Sequence, residues 1–290
     1  MARTAVLTVE PLRRGSRRRH RPRDPGASQR LRVAIVAESF LPAVNGVTNS
    51  VVRIVEELTR AGHECVVIAP GPGADRIGVT RVIRLRAFDL PRYRDLRIGL
   101  PTARMTALLR KLDPDVVHLA APAILGAAAA ISARRLGIPS VAIYQTDLAG
   151  FAGRHRLGIA RGVIWRWVSW VHRQADLTLA PSTAAMWTLR HHGISDVARW
   201  ARGVDLARFS PALRDDGIRR AVLADLAPHP DGVAPVIVGY VGRLAPEKQV
   251  DRLRPLLDLP GVRVVVVGDG PDRLALERSL RGAAFLGLRH

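Results

Sequence analysis

Cysteine, lysine, aromatic side chains and acidic groups are all scarce in this sequence. The one cysteine, Cys65, cannot form an intramolecular disulfide. It lies in the apolar run HECVVIAP and reads as a small buried hydrophobe, with a reducing cytoplasm as the default compartment. No apolar run reaches the roughly 20 residues that span a bilayer, so no transmembrane helix is expected. The start of the chain is rich in arginine but has no apolar h-region, so it does not read as a secretory signal. Aromatic residues make up 4% of the chain, and 25 Asp and Glu face 45 Lys and Arg, for a formal charge of +20. Such a surface suits nucleic acid, anionic lipid or phosphorylated substrates, and charge alone does not choose among them. No RNP, zinc-finger or helix-turn-helix signature supports nucleic acid.

What is present is an apolar α/β composition. The 290 residues are 48% hydrophobic and include 25 glycines and 20 prolines, enough for a buried core with many turns. Nine arginines against Glu10 and Asp24 place +7 of the charge within residues 1–30. That segment, with its run RRGSRRRHRPRDPG, has no periodicity and reads either as a disordered tail or as residues upstream of the true start. Only Lys111 and Lys248 break an otherwise exclusive use of arginine. Lys111 reads as incidental. Lys248 stands where a compact ammonium has a use.

From Leu31 onward strands and helices alternate. LRVAIVAE, CVVIAP, RVIRL, DPDVVHLAAP, PSVAIYQTD and DLTLAPS are strand segments. Between them lie helical segments: VVRIVEELTRAGH, with Val51, Ile54, Val55 and Leu58 on one face, then PTARMTALLRKLD, ILGAAAAISARRLG, GVIWRWVSWVHRQA and TAAMWTLRHHG. Gly137 closes the third of these as a C′ glycine. This alternation implies a parallel sheet covered on both faces. A second start comes near residue 234, with strands APVIVGYVGRL, VRVVVVGDGP and AAFLG and helices VDRLRPLLDL and DRLALERSLRG. The expected organisation is a tail at 1–30, a Rossmann-like domain at 31–200, a loop-rich linker at 201–233 and a partial Rossmann-like domain at 234–290. Two such halves place a ligand cleft at the carboxyl ends of their strands.

Several strand-end segments carry chemistry. ESFLPAVNGVTNSV sets Gly46 before a helix, where free N–H groups and the dipole favour an anion. In YVGRLAPEKQVDRL a strand ends at Gly242, Arg243 follows, and Lys248 stands at the start of a helix. Arginine binds a diphosphate in bidentate fashion and lysine as a point charge, so the pair suits a leaving diphosphate. The bland alternative is two surface charges flanking a helix. VVVVGDGPDRL offers Gly268, Asp269 and Gly270, either as a nucleotide-contacting loop or as a ligand-free tight turn. His118 comes just after a buried strand and reads as a satisfied core histidine or as a cleft residue. Asp147, at the end of YQTD, reads as a turn residue or as a cleft carboxylate.

LRVAIVAESFLPAVNGVTNSVVRIVEEL, DPDVVHLAAPAILG, VAIYQTDLAGFA, LAPSTAAM, RWARGVDLARFSP and GYVGRLAPEKQVDRL together resemble the family-four retaining glycosyltransferases of GT-B fold. Within that family they look most like actinobacterial GDP-mannose-dependent α-mannosyltransferases that act on glycolipids. The resemblance runs from about Leu31 to the end of the chain. It implies transfer of a hexose with retention of configuration, without metal or cofactor, in the cytoplasm or at the inner face of the plasma membrane. It puts Arg243 and Lys248 on the donor diphosphate, with Gly46 reaching it from the other domain. It puts His118 near the transferred sugar and Asp147 on the acceptor side. Many relatives have a second histidine where this chain has Ala120. The family continues for roughly another half-domain, which holds an E-x7-E loop and a helix crossing back to the first domain. The chain therefore reads as a fragment or as the product of a frameshift or early stop. A three-stranded half-domain is expected to leave strand edges and apolar faces uncovered.

Basic and aromatic residues interleave in two places, as suits an anionic bilayer surface. RAFDLPRYRDLRIGLPTARM, a loop with Arg92, Tyr93, Arg94 and Arg97, is the expected membrane contact. GVIWRWVSWVHR, with Trp165, Trp167 and Trp170, is expected to pack in the core. The alternative to a transferase is an inactive relative that binds lipid or an anionic ligand through its first domain.

Overall fold

The computed structural model describes residues 30–90, 93–99, 104–145, 158–200, 203–224 and 236–289. The chain divides into two compact units, Met1–Arg202 and Gly203–His290. Residues 1–29, read above as a tail, lie outside the described residues.

The first unit is built on an eight-stranded sheet. Its strands are β1 (Arg32–Ala37), β2 (Glu64–Pro70), β3 (Arg76–Ile77), β4 (Thr80–Leu85), β7 (Val116–Ala120), β8 (Ser140–Ile143), β9 (Leu177–Ala180) and β10 (Val197–Arg199). They lie in the order β10-β9-β8-β7-β1-β2-β4-β3. All pairings are parallel except β3 with β4. Strand β1 shows why the run VAIVA is apolar at every position. Ala34 and Val36 pack on one face of the sheet against Met105, Leu109 and Leu125, while Val33, Ile35 and Ala37 pack on the other against Val51 and Val55. The first face is covered by α2 (Met105–Leu112) and α3 (Leu125–Leu136), the second by α1 (Gly46–Arg60). Helices α4 (Gly158–His172) and α5 (Thr183–His191) close a third cluster, in which Trp165 and Val168 meet Leu189, Ile194 and Val197. Cys65 is buried in β2, as its apolar setting suggests.

Three local differences from the sequence reading stand out. Helix α1 starts at Gly46, not at Val51, because Asn45 caps it, its side-chain oxygen accepting the N–H groups of Val47 and Thr48 at 3.0 Å. Strand β10 falls at the end of the first domain, where no strand was read. The loop expected around Arg92–Arg97 instead holds β6 (Tyr93–Gly99), paired antiparallel with β5 (Ala87–Leu90) in a separate two-stranded sheet.

The second unit has a parallel three-stranded sheet of β11 (Val236–Val241), β12 (Val262–Val267) and β13 (Ala284–Gly287), with β12 in the middle. Leu244, Val250, Val264, Val266, Leu276 and Leu280 form its core. Helix α7 (Arg273–Ser279) packs there, and a further helix, α6 (Asp216–Ala224), lies in the segment read as linker. VDRLRPLLDL is a 3₁₀ segment, Val250–Asp258, with Pro255 inside it. Proline has no N–H to donate to an i−4 carbonyl, which works against a regular α-helix here. On edge strand β11, Val236 and Val241 are 64% and 79% exposed.

Candidate functional site

In the second unit, two strand-end turns lie backbone against backbone. Gly242 N–H donates to the Val267 carbonyl and Leu244 N–H to the Asp269 carbonyl, both at 2.9 Å. A Cβ on Gly268 would fall 1.9 Å from the Gly242 carbonyl oxygen, and one on Gly270 would fall 2.2 Å from the Leu244 carbonyl oxygen. Close packing of the two turns is therefore sufficient reason for both glycines. Asp269 is also engaged locally. Its carboxylate accepts the Gly270 N–H at 2.7 Å and faces the Arg273 guanidinium at 3.3 Å. These contacts account for the tight turn of VVVVGDGPDRL and leave both readings of it open.

The same packing sets the stem of the basic loop. Leu244, Ala245 and Val250 are buried, while Arg243 and Lys248 are exposed. The Tyr240 hydroxyl donates to the Arg243 carbonyl at 2.9 Å and so clamps the turn from β11. Burial, and then the neighbouring Glu247 carboxylate, push the Tyr240 hydroxyl above its usual pKa of 10, so it stays protonated and able to donate. Lys248 does not begin an α-helix as expected. It ends a 3₁₀ turn, Pro246–Lys248, and Gln249 follows in the left-handed region at φ 51°. Arg243 and Lys248 thus share one rigidly stemmed loop, without the dipole of an α-helix behind them.

In the first unit, His118 is the middle residue of β7, not a residue beyond its end. It pairs in register with Ile35 of β1 and Val141 of β8, on the sheet face covered by α1. Its ring meets Trp200 edge-on, with centroids 6.3 Å apart. Its Nε2 is buried and has no hydrogen-bond partner among the described residues. Burial lowers its pKa from 6.5 to about 4, so it is neutral near pH 7. Among the described residues no hydrogen bond satisfies this nitrogen, so both readings of His118 stay open.

Gly46 is the first residue of α1. Asn45 takes up the N–H groups of Val47 and Thr48 with its side chain and that of Asn49 with its carbonyl, leaving Gly46 as the first-turn N–H that the cap does not occupy. Arg84 braces the same loop. Its guanidinium donates to the carbonyls of Leu41, Pro70 and Ala74, joining the turns that follow β1 and β2.

Glu38 was missed in the sequence reading. Its carboxylate accepts four backbone N–H groups, from Ala123, Ile124, Leu125 and Gly126, at 2.7–3.2 Å. An internal anion therefore occupies the N-terminus of α3 and joins the turn after β1 to the turn after β7. The partners lie more than 80 residues away, so no local pattern could reveal it. A small cavity of about 10 Å³, room for one water, opens beside that turn and is lined by Ala121, Pro122, Tyr144, Gln145 and His172.

Asp147 and Arg92 lie outside the described residues. Tyr93, Arg94 and Arg97 are in β6, whose side chains are likewise outside them. The tryptophan helix departs from expectation. Trp165 is buried in the core, but Trp167 and Trp170 are 43% and 38% exposed. Among the described residues, no helix is long and apolar enough to cross a membrane, and no cluster of three His, Cys, Asp or Glu side chains could hold a metal.

The model of the family described as Glycosyltransferase Family 4 matches residues 44–208. The chain belongs to Glycosyltransferase Family 4. It is 51% identical over 267 residues to a GDP-mannose-dependent alpha-mannosyltransferase of Mycobacterium tuberculosis, covering 90% of this chain and 68% of that one. A protein of the same description from Corynebacterium glutamicum is 45% identical, with 89% of this chain and 62% of that one covered. The chain thus spans roughly two thirds of the length of these relatives. Among solved structures, Anabaena Alr3699/HepE, in complex with UDP and glucose, superposes with a TM-score of 0.64 at 17% identity, over 89% of this chain and 70% of its own. WaaG, a glycosyltransferase involved in lipopolysaccharide biosynthesis, gives 0.61 at 15% identity, over 89% of this chain and 70% of its own. The fold is that of the GT-B glycosyltransferases. As a member of the family the chain is a sugar transferase by descent, and the inactive lipid-binding alternative is not favoured.

Proposed function

We propose that this protein transfers mannose from GDP-mannose to a glycolipid or related sugar acceptor, with retention of configuration and without a metal or cofactor. The observation that carries the proposal is the exposed Arg243–Lys248 loop on its buried stem of Leu244, Ala245 and Val250. Negative charge grows on the departing diphosphate as the glycosidic bond to the donor breaks. Two cations held by a preorganised turn stabilise that charge more in the transition state than in the ground state. The donor identity is drawn from the relatives described as GDP-mannose-dependent. His118, neutral and with no partner for Nε2 among the described residues, is proposed to hydrogen-bond a hydroxyl of the transferred sugar. Gly46 is proposed to offer its N–H to an anionic group. Asp147 is kept as the proposed acceptor-side carboxylate, and Arg92, Tyr93, Arg94 and Arg97 as a proposed contact with the inner face of the plasma membrane.

The test is mannosyl transfer from radiolabelled GDP-mannose to a membrane glycolipid fraction, with Arg243→Ala and Lys248→Ala. Each substitution is expected to lower kcat by about 10²–10³ with an unchanged thermal midpoint, since both side chains are exposed. Transfer should persist in EDTA. Full activity in both variants would remove the loop from the site.

A further inference from the structure

We propose that the outward face of α4, centred on Trp167 and Trp170, is a docking surface for an anionic lipid bilayer. The proposal deepens the glycolipid reading above and rests on it only for the lipid nature of the acceptor. Helix α4 places large apolar side chains on both of its faces. Trp165, Val168 and Val171 face the core, while Val163, Trp167 and Trp170 face outward, with Val163 64% exposed. The outward residues fall at i, i+4 and i+7, one continuous stripe of a helix. A purely structural surface helix would carry polar residues there, and two tryptophans left more than a third exposed beside the exposed Val163 mark a surface meant to be covered.

The pair is also held in place. The two indoles stack with centroids 5.1 Å apart. The Trp167 indole N–H donates to the Ala123 carbonyl at 3.1 Å, in the turn after β7 whose N–H groups bind Glu38. The aromatic platform therefore sits by the carboxyl end of the first unit's sheet, the edge where ligands of such folds bind.

The surrounding charge selects the partner. Arg166 and Arg173 are exposed beside the tryptophans, and Arg134 of α3 reaches the end of α4 through its bond to Gln174 at 3.1 Å. Neither α3 nor α4 contains an Asp or Glu. Indole rings settle at the headgroup level of a bilayer, and arginines beside them pair with anionic headgroups. A second copy of this chain would set the same arginines against one another, which disfavours self-association through this face.

The test is co-sedimentation of the complete protein with phosphatidylcholine vesicles, with and without phosphatidylglycerol, alongside transfer to a water-soluble mannoside. Wild type is expected to bind the anionic vesicles and to shift its tryptophan emission to the blue. Val163→Ser/Trp170→Ser and Arg166→Glu/Arg173→Glu should each weaken that binding at least about tenfold while transfer to the soluble acceptor is kept. The charge-reversal pair touches no core residue, so its result stands even where the apolar pair fails to fold. Undiminished vesicle binding in the charge-reversal pair, or a concentration-dependent dimer that the same substitutions dissolve, would overturn the proposal. Vesicle binding through α4 without any mannosyl transfer would uphold this surface while refuting the mannosyltransferase reading.

Discussion

Gly268 and Gly242, 26 residues apart, meet so closely that a Cβ on Gly268 would lie 1.9 Å from the Gly242 carbonyl oxygen. The backbone of Gly268 is also at φ 138°, a region that L side chains rarely enter. Gly268→Ala is therefore expected to destabilise the second unit by roughly 2–4 kcal/mol. Gly282→Ala is the control. Gly282 has φ 104° but nothing within 4 Å of its Cβ position, so only conformational strain, about 1 kcal/mol, should appear. Urea unfolding with limited proteolysis of each unit measures both, and equal effects would mean that the contact with Gly242 is unimportant.

The Tyr240 hydroxyl holds the Arg243 carbonyl, not the guanidinium. Tyr240→Phe should then lower stability by only about 1 kcal/mol, one hydrogen bond. Its larger effect should be on donor binding, through a loosened turn. Titration with GDP, followed by calorimetry, is expected to show a several-fold weaker Kd. An unchanged Kd would mean that the turn needs no clamp.

Glu38→Ala leaves four buried or half-buried N–H groups without their acceptor and is expected to cost about 3 kcal/mol. Glu38→Gln should cost about half as much. Its oxygen can still serve Ala123, Ile124 and Gly126, which all share Oε1, but it loses the charge and sets an NH₂ against the Leu125 N–H. Thermal unfolding of the two variants measures the order, and a reversed order would mean that the carboxylate does not cap α3.

His172 is 3% exposed, and its Nδ1 lies 3.1 Å from the Thr178 hydroxyl. Burial lowers its pKa from 6.5 to about 4. The unfolded chain therefore takes up the proton first. Stability from the neutral ring is complete above about pH 6.5 and is lost as the pH falls toward 4, by at most about 3 kcal/mol. His118, shifted in the same direction, adds to the same window. His172→Gln should flatten the fall in unfolding free energy between pH 6.5 and 4, measured by urea titration at several pH values. An unchanged slope would place the titration elsewhere.

Strands β1, β2, β4, β7, β8 and β9 and the helices of the first unit were legible because burial imposes periodicity, whereas β3, β5, β6 and β10 were not read. A strand covered on both faces must be apolar at every position, as β1 is, and Gly137 marks the end of α3 at φ 65° as its position suggests. Start and stop points were less legible. Asn45 extends α1 by a turn, since a cap adds helix before the first apolar residue. VDRLRPLLDL has a helical apolar pattern, yet it forms 3₁₀ turns around Pro255.

By itself, the sequence determined the α/β class, the family, and the basic loop carrying Arg243 and Lys248, because each is written in consecutive residues. Tertiary structure alone decided the rest. Glu38 finds its N–H partners more than 80 residues away, Gly268 earns its glycine from Gly242, and the His118 ring meets Trp200, 82 residues on. Trp165 and Trp167, two residues apart on one helix, went to opposite environments. A step of two residues turns a helix by about 200°, so which tryptophan is buried depends on where the rest of the chain lies.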